Sequence, residues 1–468
     1  MPIKSKLHTL LFAVLYLALS ATQLKAQQLA FPGAEGYGRF TTGGRGGKVV
    51  EVTNLKGDES EGSLRAALKT PGTEPITIIF RVSGTIDLAQ GMVKVGRSNM
   101  TIAGQTAPGE GICIRNGTLK FSGNNLIIRY IRFRPGDEAG LSDLSSLGNE
   151  NSKNVIIDHC SLSWSNEESH TAYDNKYITV QWCILSESLY SSFDSKGARS
   201  YAAQWGGQYA TYHHNLIASN ASRSPRVNGA RSHDTVALVD YRNNVIFNWG
   251  KPGAVYGGEL EVNSPAAKCN VNWVNNYYKP GPATSKSLYF AAPSYESRKG
   301  AAKGYAKWYF AGNYMEGQKG GMNEDNWLGV DVSKVGSAEN IKSDREFEVD
   351  RPKTESAQEA YKSVLAKAGA ILPKRDVVDQ RVVAEAAGKV KVTGDGKYGE
   401  NTGMIDSQKA VGGWPVLKSA KAPVDSDRDG MPDSWEKTNR LDPRNPEDRN
   451  KVAADGYTML EKYINSII

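Results

Sequence analysis

Short apolar bursts of four to five residues recur along the middle of this chain, each closed by polar or small residues. Asn99-Met-Thr-Ile-Ala-Gly, Asn125-Leu-Ile-Ile-Arg-Tyr and Asn154-Val-Ile-Ile-Asp-His align at spacings of 26 and 29 residues. The series continues through Tyr177-Ile-Thr-Val-Gln-Trp, Ala210-Thr-Tyr-His-His, Leu238-Val-Asp-Tyr-Arg-Asn and Val271-Asn-Trp-Val-Asn. Alternation over so short a run reads as a strand. A strand that returns at this interval predicts a solenoid of stacked coils, with variable loops on one face.

The residue that closes each burst adds detail. Cys160, Cys183, Asn215, Asn244, Asn276 and Asn313 occupy one place in successive repeats, at intervals of 23 to 37 residues. Asn at so many of these places predicts an internal ladder, in which stacked amides bond to each other and to the turn backbone. A buried amide is tolerated only when it is satisfied in this way. Cys160 and Cys183 should stack in adjacent coils, either as two thiols filling a step or as a disulfide. A β-propeller would need a steadier period and hairpin signals, and neither is present.

The pattern divides the chain. Residues 1–26 carry Lys4 and Lys6, an apolar run from Leu10 to Leu19 and small residues up to Ala26, the order of a secretory leader. The run is too short to span a membrane. The coil repeat occupies 27–330, and 331–423 reads as a covering segment, helical at 355–370 and extended from 371 onward. A small module fills 424–468. The expected product is soluble and exported, secreted or periplasmic, without a lipid anchor.

Composition changes this picture little. The formal charge of +7 falls to +4 once the leader's three lysines are removed, too mild to indicate nucleic acid. A local basic patch could still hold an acidic substrate. Four cysteines are too few for a disulfide scaffold in 468 residues. The 48 glycines suit an all-β chain of many short strands and tight turns.

Four motifs, in order, carry a resemblance. They are Phe31-Pro-Gly-Ala-Glu-Gly-Tyr-Gly with Thr41-Thr-Gly-Gly-Arg-Gly-Gly-Lys, then Gly62-Ser-Leu-Arg-Ala-Ala-Leu, Asn154-Val-Ile-Ile-Asp-His and Ser222-Arg-Ser-Pro-Arg. Together they resemble polysaccharide lyase family 1, the pectate and pectin lyases, over residues 29–320. The resemblance implies a right-handed parallel β-helix. It also implies β-elimination on polygalacturonate, in which a base removes the C5 proton and oxygen leaves C4. The C5 proton is barely acidic beside a carboxylate, and a bound Ca²⁺ answers that difficulty as a Lewis acid. The implied partner is an acidic polysaccharide, with no nucleic acid and no membrane span, and the chain is expected to be a monomer.

Residue by residue, Arg223 matches the family's catalytic base, although arginine ordinarily titrates far above neutrality. Arg226 is either a contact for substrate carboxylate or a packing residue, because the family's second arginine falls on Asn228. Lys196 corresponds to the family's substrate-binding lysine, in a loop where a solvated lysine is the alternative. Asp143 and Glu167 match calcium ligands, with Glu168 a possible substitute. The family's remaining aspartate falls on Thr171, so the set is short of a carboxylate unless Asp174 or the substrate supplies it. Asp158, His159, His213 and His214 read as structural, since no nucleophile motif accompanies them.

A second site is legible without the family. Asp425-Ser-Asp-Arg-Asp-Gly-Met-Pro-Asp-Ser-Trp-Glu fills an EF-hand-type loop: Asp425, Asp427, Asp429, Gly430, the Met431 carbonyl, Asp433 and Glu436. Pro423 argues against an incoming helix, so the loop resembles those of dockerin or thrombospondin type 3 repeats. With a single loop, a structural calcium clip is expected. The competing functions are a polygalacturonase-type hydrolase, which would want paired carboxylates, and a non-catalytic polysaccharide-binding β-helix.

Overall fold

The computed structural model describes residues 27–467 except 194, 231–234, 251–253, 262–265, 285–287, 295, 298–299 and 302–303. The leader expected at 1–26 lies outside the described residues. The first sheet stacks ten parallel strands, from Lys48–Val52 and Ile76–Phe80 through Lys153–Asp158, Lys176–Gln181 and Gln208–His213 to Lys307–Ala311. Residues one coil apart sit in register. Val155, Ile178, Ala210, Val239, Val271 and Trp308 form one continuous buried column down the sheet.

Most of the other strands make two further faces. One row runs Ile131–Phe133, Ser161–Ser163, Ile184–Ser186, Leu216–Ala218, Val245–Phe247, Tyr277–Lys279 and Tyr314–Met315. The other runs Leu147–Glu150, Glu168–Tyr173, Tyr201–Trp205, Arg226–Val227, Tyr256–Gly257 and Ala292–Pro293. The long strand Ile112–Phe121 pairs with both rows and joins them. Three parallel faces per coil make a right-handed parallel β-helix, as expected.

The corner between the first sheet and the next row explains the ladder. His159, Trp182, His214, Asn243 and Asn275 each take a left-handed backbone, with φ between 50° and 55°. That single residue turns the chain. The following residue then points inward, and its amide bonds onward from coil to coil. Asn215 donates to Asn244 at 3.0 Å, Asn244 to Asn276 at 3.0 Å and Asn276 to Asn313 at 2.9 Å. Asn313 hands on to Asn326 at 3.0 Å, a rung that lies in a 3₁₀ turn and has no strand pattern around it. The Cys183 amide donates to Asn215 and the Cys160 amide to the Cys183 sulfur, and both thiols are free. Of the two alternatives, the disulfide is absent.

The corner residues point outward and stack. Tyr130, His159, Trp182 and His214 form one column with ring separations of 5.0, 6.1 and 4.3 Å. Burial holds His214 at a pKa of about 3 and His213 well below its ordinary value, so both are neutral packing groups.

Two segments cover the helix. Helix Ala357–Lys367, with a Ser356–Glu359 capping box, packs on Leu216, Val245, Phe247 and Tyr277. A second helix, Val377–Ala386, interrupts the stretch expected to be extended. Asp376 caps it, and a buried network anchors it: Arg134 bonds Asp376 at 2.5 Å and Asp379 at 2.7 Å, and Arg132 reaches Asp376 at 3.2 Å. Pro373 hides this helix in a pattern reading, and the anchoring charges come from a distant coil. At the other end, Met431, Leu460 and Ile464 of the C-terminal module bury against Ala103, with Val49 packed beside them. The opening motif crosses the first sheet, with Phe31 against Ile127 and Ile156. Gly38 there leaves no room for a side chain, since a Cβ would lie 2.4 Å from the Val155 carbonyl oxygen.

Candidate active site

Arg223 lies between a corner and the short strand Arg226–Val227, in a left-handed backbone at φ 56° and with 6% of its surface exposed. Parallel stacking surrounds its guanidinium with three coils. The head sits 4.0 Å from the centre of the Tyr201 ring, and Nε donates to the Tyr256 hydroxyl at 3.1 Å. Nη1 donates to Gln204 Oε1 at 3.0 Å and forms an ion pair with the buried Glu168. The head is therefore fixed on four sides, as a reacting group must be.

Beside it lies an open arrangement of charges. Lys196 Nζ is 3.1 Å from Asp143 Oδ1 and 3.3 Å from Glu167 Oε1, so two carboxylates converge on one cationic point. Arg199 Nε approaches the other Glu167 oxygen at 3.2 Å. Burial works against the charged lysine, yet the Asp143 hydrogen bond and the Glu167 charge outweigh it and raise its pKa. Asp143 and Lys196 are about half exposed, at 45% and 50%. A ligand can therefore reach both.

The neighbouring glutamates diverge because Glu168 begins a strand while Glu167 ends the loop before it. Glu168, expected as a substitute calcium ligand, is instead the ionic partner of Arg223. Arg226 is paired with Glu259, which is 2% exposed, in keeping with the packing alternative. Asn228, at the place of the family's second arginine, donates to the Ala172 carbonyl at 3.1 Å. Thr171, on which the family's third carboxylate falls, sits with its hydroxyl 3.3 Å from that of Ser145. Asp174 turns a left-handed corner beyond strand Glu168–Tyr173. Tyr201, Gln204, Tyr256 and Arg199 were not legible as site residues, because only coil stacking brings them to Arg223 and Glu167.

Asp143 and Glu167 offer oxygen atoms alone, converging on a position a cation already occupies. That donor set suits a hard divalent ion whose remaining ligands come from water or substrate.

The C-terminal loop is built differently. Its backbone curls round the carboxylates: Gly430 N donates to Asp425 Oδ2 at 3.1 Å and Met431 N to Asp429 Oδ1 at 2.9 Å. Among the described residues, oxygens of three carboxylates lie mutually within 4.8 Å in two groups, Asp425–Asp427–Asp429 and Asp429–Glu436–Asp448. Asp433 does not join them, since its carboxylate caps Ser426 at 2.7 and 2.8 Å. Its place is taken by Asp448, twelve residues beyond Glu436 and outside any loop motif. Burial first, and then the neighbouring acids, push Asp429 up to about 7 and Glu436 up to about 8.

In fold, the chain resembles Jun a 1, the major allergen from cedar pollen, with a TM-score of 0.50 and 18% identity over 72% of this chain and 92% of that one. In sequence it is 32% identical to Probable pectate lyase C of Aspergillus flavus, over 96% of each chain. It is 33% identical to Probable pectate lyase C of Aspergillus fumigatus, over 98% of each. A scan against protein-family models gave no match. Similarity at this level and coverage places the chain in a class, the polysaccharide lyases. Within that class, the chain belongs to the pectate lyase family.

Proposed function

We propose that this chain cleaves polygalacturonate by calcium-assisted β-elimination, with Arg223 as the base. The observation that supports the reading most is the juxtaposition of an immobilised Arg223 with two carboxylates, the half-exposed Asp143 and the mostly buried Glu167, converging on one cation position. Arg223 takes the C5 proton, the C5–H electron pair becomes the C4–C5 double bond, and the C4–O bond breaks. The leaving oxygen takes a proton from water, Arg223 gives its extra proton back to solvent, and the new end is a 4,5-unsaturated uronide. Calcium held by Asp143 and Glu167 would neutralise the substrate carboxylate and acidify C5.

The chain's own residues do the rest. Tyr201, Gln204 and Tyr256 fix the guanidinium, while Glu168 holds it in place until substrate arrives. Lys196 moves from Asp143 and Glu167 to a substrate carboxylate, and Arg199 stays behind to orient Glu167. Arg226 supports this strand through Glu259. Export rests on the charged, apolar and small-residue order of residues 1–26. No helix among the described residues is long and apolar enough to cross a membrane.

The test is incubation of the full chain with polygalacturonate, with Ca²⁺ or EDTA, while ultraviolet absorbance of the unsaturated product is followed. Calcium-dependent absorbance is expected. Reducing ends without absorbance would identify a hydrolase, and neither signal would identify a binding protein.

A further inference from the structure

Five buried carboxylate oxygens in the C-terminal module have no hydrogen-bond partner: Asp427 Oδ2, Asp429 Oδ2, both Oε atoms of Glu436 and Asp448 Oδ1. Glu436 is fully buried, and Asp429 and Asp448 are each 1% exposed. A buried charged oxygen left unpaired forfeits its hydration with nothing in return, so such groups are normally satisfied by a donor or an ion. The protein cations nearby stand off, with Arg81 at 3.7 Å from Asp425 and Lys451 at 3.8 Å from Asp448. The cluster is complete only with an ion at its centre.

We propose that Asp425, Asp427, Asp429, Glu436 and Asp448 bind one Ca²⁺, and that this ion clasps the C-terminal helices to the first coils. This goes beyond the lyase reading and does not depend on it. Asp429 belongs to both carboxylate groups, so one ion can engage all five side chains. All donors are oxygens, and five carboxylates suit Ca²⁺, which takes six to eight oxygens, better than Mg²⁺, which keeps several waters and usually takes one or two carboxylates. Asp448 replaces Asp433 because Asp433 starts helix Asp433–Thr438 and turns back to Ser426, whereas the loop at 442–450 folds Asp448 inward.

The link to docking is direct. Gly430, at φ 93°, lies where a Cβ would touch Leu460 at 3.0 Å and Val49 at 3.2 Å, so the loop's turn is part of the contact with the first strand. Met431, next along, is fully buried in the same contact. Mutual repulsion of five acids opens the loop when the ion leaves, and the apolar contact opens with it.

The experiment uses the full chain carrying Asp143→Asn, which weakens calcium binding beside Arg223 so that the tail ion dominates the titration. Metal-depleted protein is titrated with Ca²⁺ by calorimetry without substrate, then digested with trypsin in Ca²⁺, Mg²⁺ or EDTA. One Ca²⁺ per chain is expected, with tail cleavage slowed at least about tenfold by Ca²⁺ and not by an equal concentration of Mg²⁺. Asp448→Asn should weaken binding at least about tenfold, and Asp433→Asn by no more than about twofold. Asp427→Asn repeats the first effect at a half-buried position where packing is least disturbed, and circular dichroism checks each variant for fold. Absence of binding, identical digests with and without Ca²⁺, or equal effects of Asp448→Asn and Asp433→Asn would overturn the proposal. None of these outcomes touches the lyase reading.

Discussion

The chain holds two sets of carboxylates that treat charge in opposite ways. Around Arg223, the described acids Asp143, Glu167 and Glu168 each have a protein cation: Lys196 bridges Asp143 and Glu167, and Arg223 engages Glu168. In the tail, buried oxygens of Asp429, Glu436 and Asp448 face one another with no donor. The first arrangement is open and exchangeable, because Lys196 is half exposed and a substrate carboxylate can draw it away. The second is closed, and its acids are stable as charges only around a bound ion. On the proposed readings, a calcium site that turns over with substrate and one that holds structure would differ less in ligand chemistry than in which counter-charge the fold supplies.

The largest effect that would sharpen this contrast is at Arg223. Arg223→Lys keeps a cation beside Glu168 but loses the planar fork that meets Gln204 and Tyr256. Steady-state absorbance assays should show kcat/KM reduced by at least about 10²-fold, with thermal stability nearly unchanged. Near-normal turnover would remove Arg223 as the base.

Next is the tail contact. Leu460→Ala empties an apolar seat against Ala103, and such truncations cost about 2–5 kcal/mol. Tryptic release of the module should then become fast even in Ca²⁺, while initial lyase rates at low temperature hold. A parallel fall in lyase rate would show that the two regions are coupled.

Smaller again is Asp143→Asn. Removing one carboxylate from an open pair should raise the Ca²⁺ concentration for half-maximal lyase rate by about tenfold, without altering tail protection. An unchanged calcium requirement would place the catalytic ion elsewhere.

The smallest effect belongs to the rim. Arg428 pairs with Glu51 across the tail interface at 2.5 Å but is 72% exposed. Surface pairs contribute about 0–1 kcal/mol, so Arg428→Ala should barely change digestion rates. A large change would mean that the clasp is ionic rather than apolar and metal-based.

Much of this was legible in residues alone. The apolar bursts became the first sheet, and Asn215, Asn244, Asn276 and Asn313 became a ladder at the expected corner. Asp425, Asp427, Asp429 and Glu436 converge as their loop spacing predicts. Asn326 and the helix Val377–Ala386 were missed for one shared reason. Each is held by partners from a different coil, Asn313 in one case and Arg134 in the other, so no local period marks it.

The repeat, the inward position in each coil, the Arg223 motif and the tail loop can all be read along the chain, because strand alternation and turn chemistry act over a few residues. Folding is what pairs Glu168 with Arg223, sets Lys196 between Asp143 and Glu167, and brings Asp448 rather than Asp433 into the tail cluster. Charge pairing depends on which loop lies over which coil. That is fixed by lateral stacking between residues tens of positions apart, where sequence spacing carries no distance.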